Sequence, residues 1–245
     1  MIDIFAVNLT HQIEQRDFNN LLSLLSKEKR EKILRFRNYE DAQRGLIGDI
    51  LVRKIVCNRT GLRNEDIEFI NNKFGKPFLK NTNKIKFNIS HSGKWVVCAI
   101  SEKDIGIDIE RIQPIDINFV KRIFTIKENE EIMRINKELQ LKYFYELWTC
   151  KESYIKALGE GLSIALNSFS IQIKENCISI RTDRDLNNFF PRMYNIDKNY
   201  KMAVCSTENS SPDEVNMISL EDLIEEMRQF NSIQDSKWIG LLRRT

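Results

Sequence analysis

The chain has 245 residues, of which 42% are hydrophobic and 30% are charged, and its formal net charge is +3. This length allows one large domain or two small ones with a sizeable core, and the composition is typical of a globular protein. The five cysteines form no C-x-x-C pair, residues 1–18 have neither the basic region nor the uninterrupted apolar region of a secretory leader, and no apolar stretch approaches about 18 residues. We therefore expect a cytoplasmic protein without a membrane span, whereas the net charge alone is neutral on nucleic-acid binding.

The first half of the chain predicts one strand, two helices and then three short strands. Apolar alternation at 2–9 predicts the strand, and helical periodicity predicts helices at about 17–38 and 40–58. Turn residues follow, and β-rich runs predict strands at 67–71, 85–90 and 94–101. The last two of these strands are joined at His91-Ser92-Gly93.

The second half predicts a strand at 105–110, two helices and four more strands. Thr125 and Glu128 form a capping-box pattern before a helix at 126–137, and a longer helix at 140–158 ends at Gly159. The further strands are predicted at 168–173, 176–181, 190–196 and 200–206. KWVVCAIS at 94–101 and KMAVCST at 201–207 are alike, which is either a trace of two similar halves or a coincidence.

The strand at 105–110 carries two carboxylates on one side. Its isoleucines alternate with Gly106, Asp108 and Glu110, so the pleat directs both carboxylates to the same face, roughly 7 Å apart. Two like charges held this close repel each other, and a cation normally lies between them. The plainer alternative is an ordinary acidic strand end.

The long helix at 140–158 places a third carboxylate on an apolar stripe. At 100° per residue Glu152 falls near the centre of that stripe, and Lys151 and Lys156 project to its flanks. The apolar members of the stripe are Leu141, Phe144, Tyr145, Trp148 and Ile155. A buried carboxylate is rarely left unpaired, so Glu152 is either tied to one of the lysines or part of a site. Together the three acids predict an all-oxygen site for Mg²⁺, with lysines available for an anionic ligand.

Two other features have a plain interpretation beside a functional one. Residues 27–37 hold six basic residues and two glutamates, which is typical of a solvated helix face and becomes a phosphate-binding surface only with an anionic ligand. Ser90 and His91 do not form a nucleophile and its base, because no G-x-S-x-G elbow or acid partner accompanies them. A surface loop is the plain interpretation of His91.

The motifs resemble those of a known family. GIDIE at 106–110 followed by W-x-x-K-E-S-x-x-K at 148–156 is similar to the paired signature of the 4′-phosphopantetheinyl transferase superfamily. The sequences around 29–53, GKP at 75–77 and FNISHSGKWVVCAIS at 87–101 resemble the single-chain type that activates surfactin synthetase. The resemblance extends from about residue 5 to about residue 207.

The resemblance implies an α+β fold of two similar halves related by a pseudo-two-fold axis, with the ligand site at their junction. The halves would be 1–104 and 105–210, the second carrying the metal site, followed by a C-terminal helix and tail at 211–245. It also implies transfer of the 4′-phosphopantetheine group from coenzyme A to a serine of an apo carrier protein, with Mg²⁺ as cofactor. The expected partners are carrier domains of peptide synthetases, with polyketide or fatty-acid carriers as alternatives, and the expected state is a monomer.

Each expected role falls on a numbered residue. Asp108, Glu110 and Glu152 would ligate Mg²⁺; Glu152 is the candidate base for the acceptor serine, directly or through a metal-bound water, and Lys156 would stabilise the transferring phosphoryl group. By resemblance, coenzyme A would be bound by Lys29, Lys32, Arg44, Lys76, Ser90, His91, Lys151 and Lys156.

Two other classes of function fit part of the sequence. A protein that binds coenzyme A or a carrier domain without turnover is the first alternative, although a degenerate copy would be expected to lose the three acids and Lys156 first. A metal-dependent nuclease is the second, and the modest net charge and the single aromatic residue of the basic run, Phe36, disfavour it.

Overall fold

The computed structural model describes residues 1–80, 82, 84–116, 120, 122–174, 177–183 and 188–229. Its helices are α1 (Gln15–Ser23), α2 (Lys27–Leu34), α3 (Tyr39–Thr60), α4 (Ile126–Arg134) and α5 (Lys137–Leu158), and residues 220–229 are also helical. Its strands are β1 (Asp3–Asn8), β2 (Phe69–Asn71), β3 (Pro77–Leu79), β4 (Lys86–Ser92), β5 (Trp95–Ser101), β6 (Ile105–Arg111), β7 (Phe169–Lys174), β8 (Cys177–Thr182), β9 (Phe190–Tyr194), β10 (Tyr200–Ser206) and β11 (Asn216–Ile218). The predicted α+β class is therefore confirmed.

Capping residues explain where the predicted helices were right and where they were wrong. The single helix predicted at 17–38 is two helices, because Ser26 accepts the backbone N–H of Lys29 and starts α2. The capping box of Thr125 and Glu128 is confirmed at the start of α4. Gly159 ends α5 with φ 72°, the left-handed conformation that glycine adopts without strain. The three-residue strands β3 and β11 were not predicted, because so short a run carries no periodic signal.

Packing divides the chain into two compact units that differ from the predicted division. Among the described residues, the first unit comprises 1–5, 68–93 and 97–216, and the second comprises 6–67, 94–96 and 217–229. The β4 segment thus packs with the C-terminal strands rather than with α1–α3. None of the helices in the described part of the chain has the length and apolarity that a bilayer crossing requires.

The first unit is built around β6 and α5. β6 pairs antiparallel with β10, and β10 pairs antiparallel with β9, so the sheet has the order β6-β10-β9 with β6 at its edge. α5 lies across β6 and β10, and the two β-strands β7 and β8 form a separate hairpin. The core between them contains fully buried side chains from α5, β7 and β10, including Leu147, Cys150, Tyr154, Ile171 and Cys205.

Gly106 lets α5 approach β6 closely. A β-carbon at this position would lie 2.1 Å from the carbonyl oxygen of Ser153 and 2.4 Å from the backbone nitrogen of Ala157. These contacts are with helix backbone, which cannot move aside as a flexible side chain can. The distance between strand and helix is therefore set by the absence of a side chain at residue 106.

The second unit is mainly helical. α3 contacts both α1 and α2, and its middle is buried on most sides. The helical residues 220–229 are joined to the rest of this unit by ion pairs from Lys54 to Glu226, at 2.7 Å, and from Arg228 to Asp17. Residues 230–245, which belong to the predicted tail, lie outside the described residues.

Candidate active site

β6 has the alternation that the sequence predicted. Ile105, Ile107 and Ile109 are fully buried on one face, whereas Asp108 and Glu110 point to the other. A cavity of about 570 Å³ lies on that face of the first unit. Six of the predicted site residues line it, namely Ser90, His91, Asp108, Glu110, Glu152 and Lys156. The structure thus brings the three predicted carboxylates and Lys156 to one cavity.

Asp108 is the most deeply buried of the three carboxylates, with 2% of its surface exposed. Its Oδ1 accepts a hydrogen bond from the Ser90 hydroxyl at 2.9 Å and one from the Lys156 ammonium at 2.5 Å. Its Oδ2 is buried, and no hydrogen-bond donor among the described residues reaches it. An unsatisfied buried carboxylate oxygen is costly, so a cation that the chain itself does not provide fits this position.

Glu110 and Glu152 share a partly buried environment with Asp108. Burial and the Asp108 charge raise the pKa of Glu110 to about 7, against the lowering effect of a hydrogen bond that the Ser92 hydroxyl donates at 2.8 Å. Burial and the Asp108 charge also raise the pKa of Glu152, and Lys156 opposes them. Carboxylates whose pKa is raised by the charge of a neighbouring carboxylate are those that a divalent cation would stabilise in the charged form.

The three carboxylates are not assembled around a single point. In the part of the chain that the structure describes, no group of three or more acidic, histidine or cysteine side chains is close enough to hold one metal ion. Instead, the Lys156 ammonium neutralises Asp108. The donor set is chemically right for Mg²⁺, but binding through all three residues requires side chains to turn, and the three-carboxylate site stays a prediction.

Lys156 lies on α5 one turn after Glu152 and on the cavity side of the helix. Its ammonium bonds to Asp108 and, at 3.1 Å, to the Ser90 hydroxyl, and 27% of the side chain is exposed. A cation placed beside a cavity in this way is available to an anionic ligand. The role of Lys156 at the transferring phosphoryl group stays a prediction.

Lys151 does not hold the nucleotide, contrary to the sequence prediction. Its side chain is completely buried, and its ammonium bonds to Glu128 at 2.9 Å and to the carbonyl oxygens of Leu166 and Phe169 at 2.8 and 2.6 Å. All three ammonium protons are therefore used inside the protein. The sequence prediction failed because it gave α5 a single buried stripe, whereas the helix is covered on more than one face.

Lys76 is a second correction among the predicted coenzyme A ligands. Its ammonium donates to the carbonyl oxygens of Ile105, Lys156 and Ala157, at 2.9, 2.6 and 3.3 Å. Burial lowers the pKa of Lys76 to about 8, opposed by the charge of Asp104. The side chain therefore ties the C-terminal end of α5 to the start of β6, where a cation also complements the helix dipole.

The other predicted phosphate ligands differ in which unit they belong to and in whether a carboxylate already pairs with them. In the second unit Lys29 pairs with Asp49 at 3.0 Å, Arg44 pairs with Asp41 at 2.5 Å, and Lys32 is exposed. In the first unit His91 is exposed at the cavity.

The Ser90 hydroxyl already makes hydrogen bonds within the protein. Its hydroxyl donates its proton to Asp108 and accepts hydrogen bonds from Lys156 and from the backbone of Ile109. It orients the site and has no proton left for a phosphate in this arrangement.

The sequence analysis did not single out Ser92 and Asn88, which contact β6, the strand that carries Asp108 and Glu110. Both lie on β4 and accept backbone N–H groups of β6, and Ser92 also donates to Glu110. Their signal was the polar alternation of residues 88, 90 and 92, of which only Ser90 was singled out. Trp148, a member of the predicted apolar stripe, is half-buried, packs against the core and also forms part of the cavity wall.

Comparisons with known proteins match both halves of the sequence. A family model described as 4′-phosphopantetheinyl transferase, N-terminal, matches residues 11–103, and one described as 4′-phosphopantetheinyl transferase superfamily matches residues 104–205. The chain is 39% identical over 222 residues to the 4′-phosphopantetheinyl transferase Sfp of Bacillus subtilis (strain 168), covering 90% of this chain and 99% of that protein. It is 41% identical over 215 residues to the 4′-phosphopantetheinyl transferase gsp of Aneurinibacillus migulanus, covering 86% and 88% respectively.

Among solved structures, the holo-[acyl-carrier-protein] synthase of Thermotoga maritima matches with a TM-score of 0.38 and 18% identity, over 45% of this chain and 66% of that chain. This similarity is too distant to add to the assignment. The family models and the curated relatives are sufficient, and the chain belongs to the 4′-phosphopantetheinyl transferase superfamily, as its motifs predicted.

Proposed function

We propose that this protein transfers the 4′-phosphopantetheine group of coenzyme A to a serine hydroxyl of an apo carrier domain in a Mg²⁺-dependent reaction. Membership of the superfamily and the names of the relatives support the class of reaction. The observation that carries the proposal is the buried Oδ2 of Asp108, left without a donor among the described residues in a cavity that also holds Glu152 and Lys156.

The reaction exchanges one bond to phosphorus for another. The serine oxygen of the carrier forms a bond to the phosphorus next to pantetheine, and the bond from that phosphorus to 3′,5′-adenosine bisphosphate breaks. Asp108, Glu110 and Glu152 would hold Mg²⁺, which when bound neutralises charge on the pyrophosphate. No protein nucleophile is needed, so positioning and electrostatic stabilisation account for catalysis.

The chain's own residues carry the remaining tasks. Glu152 is the candidate acceptor for the serine proton, because its carboxylate lines the same cavity as Asp108 and Lys156. Lys156 is the candidate partner of the phosphoryl oxygens, because its ammonium already lies at the cavity beside Asp108. His91, Lys29, Lys32 and Arg44 are proposed ligands of the coenzyme A phosphates.

The acceptor and the setting follow from the resemblance to the type that activates surfactin synthetase. We expect a peptidyl carrier domain to be modified faster than polyketide or fatty-acid carriers. The protein is expected to act as a monomer in the cytoplasm.

The decisive experiment weighs carrier domains after incubation. The protein is mixed with coenzyme A, Mg²⁺ and a panel of apo carrier domains, and each carrier is examined by intact mass spectrometry. A mass gain of one phosphopantetheine group is expected, together with equimolar 3′,5′-adenosine bisphosphate. A carrier whose acceptor serine is replaced by alanine is the matched control, and chelation of Mg²⁺ should stop the reaction reversibly.

The Asp108→Ala variant serves as the negative control for the enzyme. Losing this carboxylate should slow transfer by more than about 10³-fold, the scale of several kcal/mol of charge stabilisation, while the protein remains folded. Binding of coenzyme A by the wild-type protein without any mass gain on the panel would favour the non-catalytic alternative instead.

A further inference from the structure

The strands β4 and β6 lie side by side in the first unit without a backbone ladder between them. β6 is an edge strand of the β6-β10-β9 sheet, so one row of its N–H groups has no partner strand within that sheet. Edge N–H groups need other acceptors when they are buried. Side chains of β4 provide them.

The contacts repeat every second residue along both strands. Asn88 Oδ1 accepts the N–H of Ile107 at 2.9 Å, and Ser92 Oγ accepts the N–H of Arg111 at 3.1 Å. Between them Ser90 Oγ accepts a longer hydrogen bond, of 3.4 Å, from the next N–H of the strand. Each pair is separated by 19 residues, so the two strands run parallel in a fixed register.

Two of the three contacts also reach a carboxylate. The Ser90 hydroxyl donates to Asp108 and the Ser92 hydroxyl donates to Glu110, at 2.9 and 2.8 Å. Each hydroxyl therefore accepts from one β6 residue and donates to the side chain of the residue before it. At the third contact the preceding residue is Gly106, which has no side chain, so Asn88 joins the strands without touching a carboxylate.

The turn that follows Ser92 is closely packed at Gly93. Gly93 has φ 53°, and a β-carbon there would lie 2.2 Å from the Tyr200 hydroxyl and 3.2 Å from the Arg111 side chain. The turn is thus packed against β10 and the end of β6. A glutamate side chain has several rotatable bonds, and a donor held in place on one of its oxygens restricts them.

We infer that Ser92 is a positioning residue for the reaction proposed above, which orients Glu110 towards the cation. The inference rests on the proposed function. The Ser92 hydroxyl is anchored to the Arg111 N–H and spends its only proton on Glu110, so it constrains which Glu110 oxygen is presented to the cavity. Hydrogen-bonded partners of metal ligands act in this way in many metal sites, and removing them lowers metal affinity by about 10–100-fold.

The test compares Ser92→Ala with Asn88→Ala. Both variants leave one β6 N–H without its acceptor, but only Ser92→Ala removes a contact with a carboxylate. Mg²⁺ binding is measured by calorimetry in the presence of coenzyme A, and kcat and the half-saturating Mg²⁺ concentration are measured with an apo carrier domain. Unfolding temperatures report how much each variant destabilises the fold, by roughly 3–8 °C in both.

Ser92→Ala should lower the affinity for Mg²⁺ by about 10-fold or more, whereas the Mg²⁺ affinity of Asn88→Ala should stay within about twofold of the wild-type value. Ser92→Thr keeps a hydroxyl and should restore Mg²⁺ affinity. Equal Mg²⁺ affinities for the two alanine variants would show that Ser92 only joins the strands, even if the wild-type protein is an active transferase. A wild-type protein that binds no Mg²⁺ would overturn this inference together with the metal dependence of the proposed function.

Discussion

Two lysine–carboxylate pairs sit on different faces of α5 and are used differently. Lys151 pairs with Glu128, and Lys156 pairs with Asp108, at 2.9 and 2.5 Å. Five residues separate the two lysines, which turns them about 140° apart on the helix. The pairs look equivalent in the sequence, since each lysine belongs to the same motif.

The Glu128–Lys151 pair is closed. One Glu128 oxygen accepts the N–H of Ile171, the other accepts from Thr125 and Lys151, and both side chains are at most 1% exposed. The Asp108–Lys156 pair is open, because Asp108 keeps an oxygen without a donor among the described residues and both residues line a cavity. Complete satisfaction marks a pair that holds the fold, and an unused oxygen beside a cavity marks a pair that awaits a ligand.

The largest effect on catalysis is expected from the open pair. Lys156→Ala should lower kcat by about 10²–10³-fold, the range for losing one electrostatic donor, and leave KM for coenzyme A within several-fold. The reason is that charge grows on the phosphoryl oxygens during transfer. Steady-state kinetics with an apo carrier domain measures both constants. Lys156→Arg should recover little, because a planar guanidinium does not replace a compact ammonium. A raised KM with unchanged kcat would make Lys156 a ground-state binding residue.

The largest effect on stability is expected from the closed pair. Lys151→Met leaves Glu128 buried without its cation and should cost about 3–5 kcal/mol of unfolding free energy, measured by urea denaturation. Turnover per folded molecule should change far less than in Lys156→Ala. Replacing Glu128 by Met in the same protein removes the stranded charge and should recover much of the loss. A folded Lys151→Met protein that fails to bind coenzyme A would restore the nucleotide role that the sequence suggested.

Gly106→Ala tests whether stability and catalysis both depend on the distance between β6 and α5. The new methyl group would meet helix backbone, so we expect a loss of about 1–3 kcal/mol from overpacking and a fall in kcat. Gly45→Ala is the matched control, because there the added carbon meets side chains rather than backbone, the nearest being the ring of Phe36 at 3.2 Å. Thermal unfolding and transfer assays on both variants give the comparison. Equal and small effects would show that α5 shifts without consequence.

The smallest effect concerns Glu110 and has a defined pH dependence. Because burial and the Asp108 charge raise its pKa to about 7, the folded protein binds a proton between about pH 4.5 and 7 that the unfolded chain releases. Stability therefore falls as pH rises through this window. Without Mg²⁺, Glu110→Gln should melt about 2–4 °C above the wild-type protein at pH 8, the shift for ~1 kcal/mol, and should match it near pH 4. An identical difference at both pH values would contradict the shifted pKa.

Periodicity and motif spacing predicted the elements that carry the site, but not which hydrogen-bond and ion-pair partners its polar side chains have. The alternation of 105–110 and the helix around Glu152 were recovered, because local patterns determine them. The burial of Lys151 was not recovered, since it depends on Glu128 and on carbonyls of residues 166 and 169, whose proximity is a tertiary property. Lys76 was missed for the same reason: the GKP motif does not tell which carbonyls surround its ammonium.

The glycine at residue 106 has a consequence for redesign. At residue 106 strand and helix approach each other backbone to backbone, so this point of contact between β6 and α5 contains no side chain that a change in the neighbouring core would alter. Core positions such as Leu147 and Ile171 can therefore be exchanged for residues of similar volume while the catalytic spacing is kept. In a library of variants, residue 106 is the one to hold constant.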